Sequence, residues 1–194
     1  KPEKPTQPHS LLGHPAPAIA LNDATDRQRA LSESLKNGPV VLVFYYGYSC
    51  NHCVSQLFDL QEDLKYFREL GAEIVAISPD SPAETREKFA EYGRFDFTVL
   101  SDPDNRAAEA YEAFHRGQSG AMEFSQHGTF VIGRDGRVAW AYLGPSPFAD
   151  NATLLHVLAR LEGRDPTSAS HATPEATGPL EASLSSPSQT ALAP

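Results

Sequence analysis

The run VVLVFYY at residues 40–46, followed at once by GYSCNHCVSQL, constrains the fold more than any other stretch. Seven consecutive apolar and aromatic residues, rich in valine, read as a strand covered on both faces. The turn signal NGP at 37–39 sets its start. From Val54 onward, Leu57, Leu60, Leu64 and Phe67 recur at the spacing of one helix face, and Gly71 marks the end of that helix. A doubly covered strand that feeds directly into a helix needs further parallel strands and crossover helices to bury it.

The rest of the chain supplies them. IVAI at 74–77 reads as a second strand. SPAETREKFAEYG at 81–93 carries the marks of a helix: Ser81 as N-cap, Pro82 at the first position, Glu84 at the third and Gly93 after the last turn. FTVL is a third strand, and SDPDNRAAEAYEAF is a turn running into a third helix. TFVIGRDGRVAWAYLG is a hairpin linked by Arg134, Asp135 and Gly136, and 152–163 is a closing helix. The order β-α-β-α-β-α-β-β-α specifies an α/β fold, a mixed central sheet with helices on both faces.

The two ends differ in kind. Residues 1–12 open with KPEKPTQPHS, polar and proline-rich, and read as a flexible arm. Residues 13–163 hold the periodic segments and form the expected domain. Residues 164–194 are rich in Ser, Thr, Pro and Ala without an apolar period, and read as a disordered tail. The opening at Lys1, with no Met and no apolar leader, reads as a processed form, so the sequence assigns no compartment; cytoplasm and periplasm both suit it. A net charge of -9 argues against nucleic acid as a partner. No apolar run approaches the roughly 20 residues of a membrane-spanning helix.

The chemistry centres on Cys50 and Cys53, the chain's only cysteines. A bridge across three positions closes almost no loop, so it is a poor structural staple. A structural zinc needs four ligands, and there is no second cysteine pair. The pair follows a buried strand and opens a helix, where backbone N–H groups and the helix dipole stabilise a thiolate. C-x-x-C in a βαβ setting therefore reads as a redox couple.

VVLVFYYGYSCNHC, AISPDSPAETREKFAEYG, VLSDPDNRAAEAY and GTFVIGRDGRVAWAYLG, taken together and in this order, resemble the peroxiredoxin (alkyl hydroperoxide reductase/thiol-specific antioxidant) branch of the thioredoxin superfamily. The resemblance runs from Gly13 to Gly163. It implies a thioredoxin-like fold, a peroxide or disulfide substrate, a thioredoxin-type reductant and no cofactor. Within the family frame F-Y-P-x-x-x-T-x-x-C, Cys53 takes the place of the peroxidatic cysteine and Cys50 that of the threonine. Tyr46 stands where the family has proline, Gln56 where many members have glutamate, and His127 where the family has arginine. Thioredoxin's own logic instead makes Cys50 the attacking sulfur, so the resemblance leaves the nucleophile open.

The candidate catalytic residues are thus Cys50, Cys53 and His127. The alternative is a copper-binding assembly protein holding its metal with the same three residues, since two thiolates and an imidazole suit copper. His52 tunes the thiols or is merely exposed between them. Tyr45, Tyr46 and Tyr48 read as pocket wall, and Trp140 as core. Asp102 and Asp104 read as turn and N-cap chemistry, and Asn151 as the N-cap of the last helix.

Overall fold

The computed structural model describes residues 4–117 and 123–164. In chain order the elements are β1 (Ala20–Asp23), β2 (Gln28–Ala30), α1 (Leu31–Asn37), β3 (Val40–Phe44), α2 (Asn51–Glu62), α3 (Leu64–Glu69), β4 (Glu73–Ser78), α4 (Pro82–Tyr92), β5 (Thr98–Ser101), α5 (Arg106–Ala110), β6 (Phe114–His115), β7 (Phe124–Ser125), β8 (His127–Ile132), β9 (Val138–Gly144) and α6 (Asn151–Leu161). Seven strands form one mixed sheet in the order β2-β1-β5-β4-β3-β8-β9. β3 lies inside it, parallel to β4 and antiparallel to β8.

All five residues of β3 are buried. Their alternation divides the core: Val40, Leu42 and Phe44 pack with Leu31, Tyr111, Phe130 and Ile132 on one face. Val41 and Val43 pack with Leu60, Phe67, Trp140, Leu154 and Leu158 on the other. α2, α3 and α6 thus cover one face, while α1 and α5 cover the other, as the doubly apolar strand requires. Trp140 is 2% exposed and belongs to this core, and its indole N–H donates to the Lys4 carbonyl.

α4 begins as its sequence indicates. The Ser81 hydroxyl accepts from Glu84 N–H, and the Glu84 carboxylate accepts from Ser81 N–H, with Pro82 in the first turn. Three expectations are corrected. The single helix expected through Phe67 is two, α2 and α3, meeting at Asp63. There the Asn151 amide reaches across from α6 and donates to the Asp63 carboxylate and to the Asp59 carbonyl, which still accepts from Asp63 N–H. Asn151 is therefore engaged across the interface, and Asp150 is the N-cap of α6, accepting from Thr153 N–H.

Residues 4–12, expected to form a flexible arm, lie along β9 instead. Gln7 N–H donates to the Ala141 carbonyl, Ala141 N–H to Thr6 Oγ1, and Leu143 N–H to Gln7 Oε1. Leu11 and Leu12 pack against the core and the His9 ring meets Phe130 edge-on. The segment's polar atoms satisfy the open edge of the sheet, a gain that hydropathy does not register. The tail expected at 164–194 lies, from residue 165 onward, outside the described residues. The sequence reading also lacked the β1–β2 hairpin, α1 and the small β6–β7 ladder, whose strands are short and without clear alternation.

Candidate functional site

β3 delivers the chain to the C-terminal edge of the sheet, the edge at which α/β folds gather chemistry. Tyr45 N–H still pairs with the Ile77 carbonyl, and then the chain turns. Gly47 makes the turn at φ +96, with Asp80 packed against it so closely that a Cβ would stand 2.7 Å from either carboxylate oxygen. Asp80 accepts from Tyr48 N–H at 3.1 Å and from the Ser78 hydroxyl at 2.9 Å. The end of β4 therefore fixes the loop that carries Cys50. Gly47→Ala is expected to destabilise the protein by about 1–3 kcal/mol, read in a denaturant titration, because it strains φ and displaces Asp80 together.

Cys50 is the N-cap of α2 and Cys53 lies in its first turn. The two are joined as a disulfide, with Cα atoms 5.3 Å apart. The helix is intact around the bridge: Cys53 N–H and Val54 N–H both donate to the Cys50 carbonyl. Cys53 is fully buried, whereas Cys50 is half-buried.

The sheet register brings in the third residue. Phe44 pairs with Gly128 across the β3–β8 ladder, so His127, the first residue of β8, comes level with the turn after β3. His127 Nε2 lies 2.9 Å from Cys53 Sγ. The imidazole is 3% exposed. Burial pushes its pKa below the ordinary 6.5, and the exposed His52 nearby acts in the same direction; the backbone of Pro145 and Gly144 opposes this without prevailing. His127 is thus held neutral at pH 7. Its Nδ1 is buried without a hydrogen bond of regular geometry.

The tyrosines form walls. Tyr45 and Tyr48 are buried, and their rings meet edge-on with centroids 6.0 Å apart. Burial pushes the Tyr48 phenol up to about 12 and the Tyr45 phenol well above its ordinary value, so neither accepts a proton as phenolate near pH 7. Tyr46 packs at a tilt on His127 with centroids 4.1 Å apart and donates its hydroxyl to the Ser125 carbonyl at 2.8 Å. Gln56 is 2% exposed, and its amide donates to the Phe148 carbonyl and to Thr129 Oγ1. Tyr46, Cys50, His52, Gln56, His127 and Pro147 line a cleft of about 380 Å³.

The chain's segments match the model of the AhpC/TSA family over residues 12–141. The chain belongs to the AhpC/TSA family. A putative peroxiredoxin of Mycobacterium tuberculosis (strain H37Rv) is 37% identical over 118 residues, which span 61% of this chain and 75% of that protein. Peroxiredoxin Bcp of Bacillus subtilis is 30% identical over 129 residues, 66% of this chain and 81% of the relative. The crystal structure of peroxidoxin BcpB from Mycobacterium tuberculosis superposes with a TM-score of 0.67 at 33% identity, covering 80% of this chain and 98% of that one.

Membership of this family makes the protein a peroxiredoxin-like thiol-dependent oxidoreductase on a thioredoxin-like fold. It does not favour the copper-chaperone alternative, although the ligand atoms of Cys50, Cys53 and His127 do lie within 4.8 Å of one another. The fold brings His127, distant in sequence, together with Cys50 and Cys53 at one place. His52 is exposed at the mouth of the site. Asp102 accepts from Arg106 N–H and Ala108 N–H at the start of α5, while Asp104 is exposed beside Arg106, so the two form no carboxylate pair. What the sequence reading missed is the Tyr46–His127 packing and the hold of Asp80 on the Cys50 loop. Asp80 had a weak signal, its place two residues past a strand at the same sheet edge, but its partner is a backbone N–H that no side-chain motif reveals. Among the described residues no helix is long and apolar enough to cross a membrane.

Proposed function

We propose that this protein reduces peroxides with Cys53 as the attacking sulfur, His127 as its proton partner and Cys50 as the resolving thiol. The observation that carries this reading is the 2.9 Å approach of His127 Nε2 to Cys53 Sγ. In the reduced protein the neutral imidazole takes the Cys53 proton, and the first turn of α2 stabilises the thiolate. The thiolate attacks the terminal oxygen of the hydroperoxide. The O–O bond breaks, Cys53 becomes a sulfenic acid, and the departing alkoxide or hydroxide receives the proton from the imidazolium. The Cys50 thiol then displaces water from the sulfenic sulfur and closes the disulfide.

Cys50 is the more exposed sulfur of the bridge and lines the cleft, which supports it as the atom attacked by a thioredoxin-type dithiol. That attack releases the Cys53 thiolate next to His127 and restores the starting state. Two electrons pass from the reductant to the peroxide in each cycle. The His127 substitution for the family arginine keeps a nitrogen at the sulfur but exchanges a fixed charge for a titratable one.

Stopped-flow oxidation of the reduced protein by hydrogen peroxide tests this. Disulfide formation far faster than that of a free thiol at pH 7 is the expected result. A rate equal to that of a free thiol, with rapid reduction of a model disulfide, would assign disulfide exchange instead.

A further inference from the structure

The sheet edge beside the redox pair carries two cavities with one common wall. The cleft of about 380 Å³ contains Cys50 and His127. A second cavity of about 280 Å³ lies over Phe44, Ile77, Ala108 and Phe114. Tyr46 lines both. Its ring packs on the His127 imidazole at 4.1 Å with a 39° tilt, and its hydroxyl holds the carbonyl of Ser125, two residues before His127. Tyr46 thus grips both the ring and the backbone that leads into it.

This double contact answers a specific problem. The second torsion of a histidine side chain is broad, so the backbone alone does not fix where Nε2 points. Elsewhere the other ring nitrogen commonly sets the orientation by a hydrogen bond. Here Nδ1 has none of regular geometry among the described residues. Beside the backbone of Pro145 and Gly144, packing on an aromatic face constrains the ring, and a proline at position 46 would offer neither that face nor the hydroxyl.

We propose that Tyr46 is a positioning residue, which holds the His127 ring so that Nε2 faces Cys53 Sγ. The proposal rests on the reading that His127 serves Cys53. The titratable groups around the imidazole are Cys50 at the cap of α2, Cys53 and His52 of α2, Tyr46 itself, and Asp59 across the cleft.

The test uses the reduced full chain and two readouts, the second-order rate with hydrogen peroxide and the pH midpoint of Cys53 alkylation by iodoacetamide. Tyr46→Trp keeps an aromatic face and is expected to leave the midpoint in place. Tyr46→Leu removes the face and is expected to slow peroxide reduction by about tenfold or more and to move the alkylation midpoint upward, toward that of a free thiol. His127→Gln calibrates both readouts. If His127→Gln shifts the midpoint while Tyr46→Leu leaves midpoint and rate at wild-type values, the positioning role is overturned and the reading of His127 stands. If His127→Gln changes neither readout, that reading fails and the proposal fails with it. Should Tyr46→Leu not fold, Tyr46→Met, which also lacks the face and the hydroxyl, takes its place, and wild-type midpoint and rate in it overturn the proposal.

Discussion

Cys53→Ser is expected to abolish rapid reaction with hydrogen peroxide, a loss of about a thousandfold or more in the second-order rate, whereas Cys50→Ser should keep one fast oxidation and lose turnover. The asymmetry follows from placement. Cys53 is the buried sulfur against His127, and Cys50 is the half-buried cap of α2. The disulfide closes with the first turn of α2 still hydrogen-bonded. Resolution by Cys50 would therefore need no helix unfolding and is expected to outpace a second oxidation of the sulfenic acid. Without Cys50 that acid persists and more peroxide carries it to sulfinic acid. Mass spectrometry of the two variants after graded peroxide should show sulfinic acid on Cys53 in Cys50→Ser and far less in the wild type. Fast oxidation of Cys53→Ser at Cys50 would reverse the assignment.

His127→Gln should lower the peroxide rate by about a hundredfold at pH 7, the usual scale for a positioned proton partner, measured by stopped flow. The same residue gives a stability signature in the oxidised protein. Burial lowers the pKa of folded His127 below 6.5, so as pH falls through 6.5 the unfolded chain takes up a proton that the folded chain does not. The contribution of His127 is complete above that value and declines as pH falls from 6.5 to the lowered folded pKa. Denaturant titrations of the oxidised protein at pH 7.5 and pH 5 should show a larger loss in the wild type than in His127→Gln. Equal losses would mean that the buried imidazole is not the group titrating.

The central strand, the helix face after the cysteines and the capping box of α4 are legible because each is local. Val40–Phe44 is apolar without interruption, Leu57, Leu60 and Leu64 keep helical spacing, and Ser81 and Glu84 cap within four residues. Elements without such a local pattern escape sequence reading. The β1–β2 hairpin is one example, since Asp23 fixes it by accepting from Thr25 and Arg29. The break at Asp63 is another, because the Asn151 side chain that meets it lies 88 positions away. The docking of residues 4–12 is a third, since its partners are backbone groups of β9 and a core face that only the folded sheet presents.

The sequence by itself determined the strand, the turn, the spacing of Cys50 and Cys53 and the helix N-terminus that favours a thiolate. These are set within a dozen residues by backbone sterics and hydrophobic period. Only the tertiary structure decided that His127, 74 positions on, stands 2.9 Å from Cys53, that Cys53 is the buried sulfur, and that Tyr46 packs on the imidazole. Those facts depend on the antiparallel register of β3 with β8. The alternation of Val40–Phe44 between two cores imposes that register, since a one-residue slip would turn every side chain to the wrong face.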